Sequence, residues 1–358
     1  MKVKKIGFLI MNIAGGGGTE RATSIIANGL SDMKYDVSII SCREGSSCRY
    51  PLNDDVLLHS LHGENMANSL ARKLAMLKAL RAFVMQNSID IMIAVDVALY
   101  PYLYPLQAEG LCKCIAWEHF NYYIQPNRMV KLARKFAAKK ADCVVVLGKK
   151  DLENYQSHYK NINNITCIYN PIAVDCSHSS SLTAKRAIAV GRLSKQKGFD
   201  RLIDAWKMIE DAVPDWQLDI FGEGELRDEL QSQINDLKLQ NVHLRGYAVN
   251  IEAEYLNSSL FFLSSRYEGF VLVLMEAMAM GLPCVSFKCK EGPEETIDDG
   301  VNGYLIEDGD IAQFANAAIK LMTDRKQLLE FGGKTKKDLN RFATKNVIQQ
   351  WHNLLCKL

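Results

Sequence analysis

The sequence predicts an α/β protein built from two doubly wound parallel-sheet domains facing a cleft. Three observations predict it. The chain has 358 residues, too many for one ordinary core, so two domains are expected. Short apolar runs alternate with longer helical segments, the pattern of a parallel sheet wrapped by helices. The alternation breaks over residues 161–181, a stretch rich in Asn, Ser and His that contains Tyr169-Asn170-Pro171, and then restarts. The expected division is 1–170, 171–343 and a final helical segment, 344–358.

Taken in order, Lys4–Met11 reads as a strand, Gly15–Gly18 as a loop and Glu20–Leu30 as a helix. Asp36–Ser41 is a second strand. Ser69–Gln86 reads as a helix carrying Arg72, Lys73, Lys78 and Arg81. Ile89–Val95 and Cys114–Trp117 are strands, Arg128–Lys140 a basic helix and Cys143–Leu147 a strand. In the second half Ala187–Val190, Trp216–Phe221, Val242–Arg245, Leu260–Leu263 and Cys284–Phe287 read as strands. Phe199–Ile209 and Glu225–Leu237 read as the first helices between them. Val271–Met280 has the length and apolar content of a helix, closed by Gly281 and Pro283. Gly300–Gly303 turns into a short strand, Tyr304–Ile306. Helices Ile311–Met322, Arg325–Leu339 and Val347–Leu358 complete the chain.

Composition removes several classes. No apolar run approaches the roughly 20 residues of a membrane span. The start, with Lys2, Lys4 and Lys5 before an apolar run, imitates a signal peptide, but the run is short and leads into glycines; it reads as a first strand. The ten cysteines are scattered without CxxC spacing, which fits reduced thiols in a cytoplasmic protein. Residues 1–170 carry 21 Lys and Arg against 14 Asp and Glu, a net of +7, and residues 171–358 carry a net of −5. A basic first half suits an anionic partner or membrane surface. Nucleic-acid binding has only that basic half in its favour and no stacking motif.

The chemistry concentrates after strands. Glu268 falls just before a helix at the carboxyl end of a strand, where ligands bind in α/β sheets. Glu276 lies eight residues on, inside that helix. Free N–H groups in a first helical turn favour phosphate. A carboxylate on each side of a phosphate site suits the hydroxyls of a nucleotide-sugar. Gly191 to Asp200 is a strand-to-helix loop in which Arg192 and Lys197 can neutralise a diphosphate. A solvated basic turn is equally compatible with the loop alone; its place at a strand end favours a site. Gly222-Glu223-Gly224 is a second, weaker glycine loop. Tyr247 suits a nucleobase pocket or an ordinary rim. His119 ends a strand of the first half, placed to face the cleft. The run Gly15–Gly18 lacks both the dinucleotide fingerprint and the Lys-Ser/Thr of a P-loop. Asp308-Gly309-Asp310 has a D-x-D spacing, but Asp310 reads as a helix N-cap, and no metal is expected there.

Together these residues resemble the retaining glycosyltransferases of the GT-B fold, family 4. The resemblance rests on Glu268 with Glu276, on Gly191-Arg192-Leu193 with Lys197-Gly198, and on Gly17-Gly18-Thr19-Glu20-Arg21. Glu118-His119, Asn170-Pro171 and Gly222 to Leu226 add to it. Val144 to Asp151 also resembles the family, with Gly148 where Thr or Ser is usual. The likeness spans nearly the whole chain and is nearest to bacterial enzymes that extend lipid-linked glycans, capsule or O-antigen units.

The resemblance implies two Rossmann-like domains, an acceptor side first and a donor side second, with the final helix crossing back to the first. It implies that Arg192 and Lys197 bind the donor diphosphate, Glu276 the ribose and Glu268 the transferred sugar. The N–H groups of Phe270 and Val271 hold phosphate or sugar, Gly17 and Gly18 lie near the donor, and His119 lies near the transferred sugar and acceptor. Negative charge leaving with the diphosphate is met by two cations and a helix start, so no metal or other cofactor is expected. A UDP-sugar donor and a polyprenyl-diphosphate-linked or other glycan acceptor are the expected partners. GDP-mannose is the alternative donor; a sugar-nucleotide epimerase, a phosphorylase and a non-catalytic binding protein are the alternative classes. Val130, Ala133, Phe136 and Ala137 can share one face of the basic helix Arg128–Lys140. That face suits either packing on the sheet or docking, peripherally and from the cytoplasm, on anionic lipid.

Overall fold

A computed structural model describes residues 3–43, 47–61, 70–123, 128–159, 162, 164–172, 174, 177–289, 292–337 and 339–358. The chain divides into two units, Met1–Ala173 with Arg341–Leu358, and Val174–Asn340. Ser69, the side chains of Arg72 and Lys73, and parts of the 161–181 stretch lie outside the described residues.

The first unit is built on a seven-stranded parallel sheet. Its elements are β1 (Lys5–Ile10), α1 (Gly18–Asp32), β2 (Asp36–Ser41), β3 (Leu57–Ser60), α2 (Leu70–Asn87), β4 (Ile91–Val95), α3 (Tyr100–Ala108), β5 (Lys113–Trp117), α4 (Arg128–Lys140), β6 (Cys143–Val146), α5 (Lys149–His158) and β7 (Ile165–Cys167). The sheet order is β3-β2-β1-β4-β5-β6-β7. β4 therefore lies at its centre, and all five of its residues are buried, as expected for a strand covered on both faces.

Two strands and two helices here were not foreseen. β7 lies inside the stretch read as linker and pairs with β6, Val144 to Ile165. α3 contains Pro105 and has a proline in its first turn. The apolar face of α4 is turned to the core: Ala133 and Ala137 are buried, and Val130 and Phe136 pack against the same cluster. What α4 exposes is Met129 at 67% and Leu132 at 59%, among the exposed Arg128, Lys131, Lys135, Lys139 and Lys140.

The second unit holds β8 (Arg186–Val190), α6 (Phe199–Ala212), β9 (Gln217–Phe221), α7 (Arg227–Asp236), β10 (Val242–Gly246), α8 (Ile251–Leu256), β11 (Leu260–Leu263), α9 (Leu272–Ala279), β12 (Cys284–Phe287), β13 (Gly303–Ile306), α10 (Ile311–Thr323) and α11 (Arg325–Lys334). Six parallel strands run in the order β10-β9-β8-β11-β12-β13. Side-chain caps start three of its helices: Asn250 accepts from Ala253 N–H at 3.1 Å, Asp310 from Gln313 at 2.9 Å and Asp324 from Gln327 at 3.0 Å. Asp310 of the D-x-D spacing is thus a cap, while Asp308 pairs with Arg201 at 2.6 Å.

The last helix, α12 (Thr344–Lys357), packs on the first unit. Trp351 meets Trp117 edge-on at 5.0 Å, and Lys4 Nζ donates to the carbonyl of Leu355 at 2.6 Å. A Cβ on Gly29 would come within 2.5 Å of Ile348, so α1 needs glycine there for α12 to lie close. Among the described residues no helix is long and apolar enough to cross a membrane.

Candidate active site

In the second unit the strand-end loops of β8 and β11 meet. Gly198 has φ of 65°, and a Cβ on it would lie 2.2 Å from the carbonyl oxygen of Ser264. Only glycine allows both the left-handed turn and that approach. The loop is then pinned: the Ser264 hydroxyl donates to the carbonyl of Lys197 at 2.9 Å, and Arg266 N–H donates to that of Gln196 at 2.8 Å.

This brings Lys197 to Glu268. The ammonium donates to Glu268 Oε1 at 2.6 Å, and the Ser265 hydroxyl donates to the same oxygen. The Lys197 side chain is 18% exposed and that of Glu268 6%. Arg192, in the same loop, is exposed, and its guanidinium has no ion-pair partner among the described residues.

Arg201 supports this geometry from below. It is buried, donates to the carbonyls of Ser264 (2.6 Å) and Ser265, pairs with Asp308, and stacks over Phe287 at 4.2 Å. A buried cation with each of its three nitrogens engaged holds the β11 end loop in one shape. Sequence reading missed Arg201, although an Arg three residues after the loop glycine on the first turn of α6 was a visible signal.

Glu276 is buried inside α9, with the Tyr255 hydroxyl 3.4 Å from its Oε2. Phe270 and Val271 precede the first turn of α9. Gly222 has φ of 136°, and a Cβ on it would meet the Gly191 carbonyl at 1.9 Å. Close packing of the two glycine loops therefore explains this glycine without a ligand. Tyr247 follows β10 and is exposed.

In the first unit Gly17 caps α1 and Gly18 begins it. A Cβ on Gly15 or Gly17 would come within 2.8 or 2.7 Å of the Glu20 carboxylate, so that side chain folds back over the glycine loop.

At the end of β5, Glu118 and His119 separate in role. Glu118 is buried, paired with Arg134 at 2.6 Å and bonded by the Tyr155 hydroxyl at 2.8 Å. Arg134 also donates to the carbonyls of Tyr122 (2.6 Å) and Asn121 (3.0 Å). This network fixes the loop that carries His119. The His119 ring lies 4.2 Å from the Trp117 ring, is 8% exposed, and its Nε2 has no hydrogen-bond partner among the described residues. Burial depresses its pKa to about 3, so it is a neutral imidazole near pH 7.

The arrangement can hold a diphosphate at Arg192 and Lys197 and sugar hydroxyls at the carboxylates. Comparisons with known proteins give the family. Residues 16–175 match the family model described as Glycosyltransferase Family 4, and residues 177–338 match Glycosyl transferases group 1. An uncharacterized glycosyltransferase of Haemophilus influenzae is 30% identical over 357 residues, covering 99% of this chain and 100% of that one. The amylovoran biosynthesis glycosyltransferase AmsD of Erwinia amylovora is 28% identical over 364 residues, covering 98% and 99%. Among solved structures, Anabaena HepE in complex with UDP and glucose has a TM-score of 0.83 at 20% identity, with 99% and 100% of the two chains covered.

Proposed function

We propose a reaction from one premise: the chain belongs to the GT-B glycosyltransferases, with a family 4 domain in its first half and a group 1 domain in its second. The reaction is transfer of a hexose or N-acetylhexosamine from a UDP-sugar to a glycan acceptor in bacterial surface polysaccharide synthesis. The observation that carries it is the Lys197–Glu268 contact at 2.6 Å between two neighbouring strand-end loops. A cation for phosphate and a carboxylate for sugar hydroxyls are held side by side.

In this reading the bond from the anomeric carbon to the diphosphate oxygen breaks, and UDP leaves. Arg192 and Lys197 stabilise the charge that develops on it. The acceptor hydroxyl attacks from the same face, and its proton passes to the departing phosphate oxygen, so configuration is retained. No metal is needed, because the two cations supply the positive charge. Glu276 takes the ribose hydroxyls, Glu268 the transferred sugar and Tyr247 the base. Within the first unit, Gly17, Gly18 and His119 keep the roles that the family resemblance implies.

The relatives' names support the polysaccharide setting, and the UDP in HepE favours a uridine donor. A thermal-shift screen of UDP, GDP and their sugars tests this reading. UDP and UDP-sugars should raise the melting temperature, and a shift with GDP alone would overturn the donor. Product configuration read by NMR tests retention; an inverted product sinks it.

The acceptor is lipid-linked in this reading, and the protein works peripherally at the inner face of the cell membrane. Met129 and Leu132, exposed among five α4 cations, are the docking groups. Flotation with vesicles should show binding that rises with anionic lipid. Equal binding to neutral and anionic vesicles rejects the electrostatic part.

A further inference from the structure

The last turn of α12 places a thiol against an imidazole. Cys356 follows His352 by one helical turn, so the two project from the same side of the helix. Cys356 Sγ lies 3.6 Å from His352 Nε2. Cys356 is exposed and His352 half-buried. Neither has a role in the reaction just described. Tyr35, which touches both, precedes β2, and Lys4, which bonds the Leu355 carbonyl, precedes β1. The pair therefore sits at the amino ends of the first sheet, whereas folds of this kind bind substrates at the carboxyl ends.

Three features suit a soft divalent metal. Thiolate sulfur and imidazole nitrogen are ligands that zinc favours. The spacing matches: with Zn–S of about 2.3 Å and Zn–N of about 2.0–2.1 Å, tetrahedral coordination sets sulfur and nitrogen about 3.5–3.6 Å apart. The ring is also held. His352 Nδ1 and the Tyr35 hydroxyl are hydrogen-bonded at 2.9 Å, which leaves Nε2, the nitrogen beside the thiol, as the ligating atom. Burial, with Cys356 beside it, pushes the Tyr35 hydroxyl up to about 12, so it keeps its proton. A hydrogen bond to the far ring nitrogen is how metal-binding histidines are commonly oriented.

Two ligands do not close a zinc site. Structural zinc takes four protein ligands, and among the described residues no group of three or more His, Cys, Asp or Glu side chains could hold an ion. The missing pair must come from outside. A second copy related by a two-fold axis supplies it, each chain giving one sulfur and one nitrogen to an ion on the axis. The exposure of Cys356 is what such sharing requires.

We propose that His352 and Cys356 form a zinc half-site that joins two copies of this chain through one ion. Each thiol gives up its proton on binding, so one Zn2+ displaces two protons and the shared centre of two thiolates and two imidazoles is neutral.

The test uses the full chain, reduced with a phosphine, stripped with EDTA and desalted, to which Co2+ and then Zn2+ are added. Cobalt reports its ligands through a thiolate charge-transfer band and tetrahedral d–d bands, and analytical ultracentrifugation reports the mass. The expected result is about half an equivalent of cobalt per chain, a doubled mass, about two protons released per ion, and bleaching by zinc. Cys356→Ser and His352→Gln should abolish band and dimer while melting as the metal-free wild type does. Tyr35→Phe keeps both ligands and should weaken cobalt binding by about ten- to a hundredfold. The proposal is overturned by the absence of a thiolate band, by a band that survives Cys356→Ser, by one ion bound per chain on monomers, or by a dimer indifferent to EDTA. No nucleotide or sugar enters the test, so its outcome is separate from that of the transferase reading.

Discussion

Two glutamate–cation pairs, one in each unit, have the same 2.6 Å contact and opposite character. Glu118 and Arg134 are each 1% exposed. Arg134 is fully engaged, with two backbone carbonyls besides the carboxylate. Glu268 faces Lys197, whose side chain remains 18% exposed. Arginine's planar fork locks a geometry, whereas a lysine ammonium is a point charge on a flexible stem that can turn to a new anion. In the proposed reading the cation that can let go serves the ligand, and the one that cannot is a brace. The Glu-His pair divides accordingly: Glu118 holds the loop, and His119 is what the loop presents.

The largest expected effect breaks the brace. Arg134→Met leaves Glu118 charged and buried, which should cost about 3–5 kcal/mol of stability, read by urea unfolding. Lys197→Met leaves Glu268 sheltered with the Ser265 hydroxyl as a remaining donor, so it should cost less than the Arg134 change, about 1–3 kcal/mol, yet reduce transfer about a hundred- to a thousandfold, the size of one lost charge-stabilising group. If Arg134→Met left stability intact, or Lys197→Met unfolded the chain, the contrast between the pairs would be wrong. Glu268→Gln keeps the shape and the Ser265 contact, and transfer should fall by a similar factor with little change in melting.

A middle-sized effect comes from titration in the first unit. Asp96, just after β4, holds its proton more tightly folded, at about 6, than at its ordinary 3.8, raised by burial and by the neighbouring Glu118. The fold therefore loses stability as pH rises through that window, by about 1.4 kcal/mol per pH unit. Asp96→Asn should gain about 3 kcal/mol above pH 6 and nothing below pH 4. His119 has the opposite sign. Its pKa falls from 6.5 to about 3 on folding, so stability present above pH 6.5 is lost as pH drops toward 3, and His119→Asn should flatten that arm. Unfolding curves from pH 3 to 8 measure both.

How much was legible in the sequence depended on range. Leu260–Leu263 and the Asp310 cap were readable because a few consecutive residues determine them. Glu268 and Lys197 were each readable as loop residues after strands, though their mutual contact spans 71 positions. The strand Ile165–Cys167 was hidden because an edge strand of half-buried residues carries no apolar run. The helix Tyr100–Ala108 was hidden by its prolines, which packing overrides. α4 showed its apolar face but not its direction, since amphipathicity alone cannot tell a core from a membrane. Asp96 was least legible: its φ of 94° is imposed by tertiary structure, and nothing in Val95-Asp96-Val97 announces it.

The smallest effect sharpens the comparison within the donor site itself. Arg192 is exposed and, among the described residues, without an ion-pair partner, whereas Lys197 is sheltered and paired. Arg192→Ala should leave stability within about 0.5 kcal/mol, as for surface changes that remove no contact. It should weaken UDP binding by about tenfold, the order expected for one charge-assisted contact to phosphate. The two cations should then respond differently to salt. Screening acts over about 10 Å at 0.1 M ionic strength and about 3 Å at 1 M, and falls mainly on exposed charges. Calorimetric titration with UDP across that range should show the Arg192→Ala deficit shrinking and the Lys197→Ala deficit persisting. Equal shrinkage of the two would place both cations in open solvent and remove the shelter on which the donor site depends.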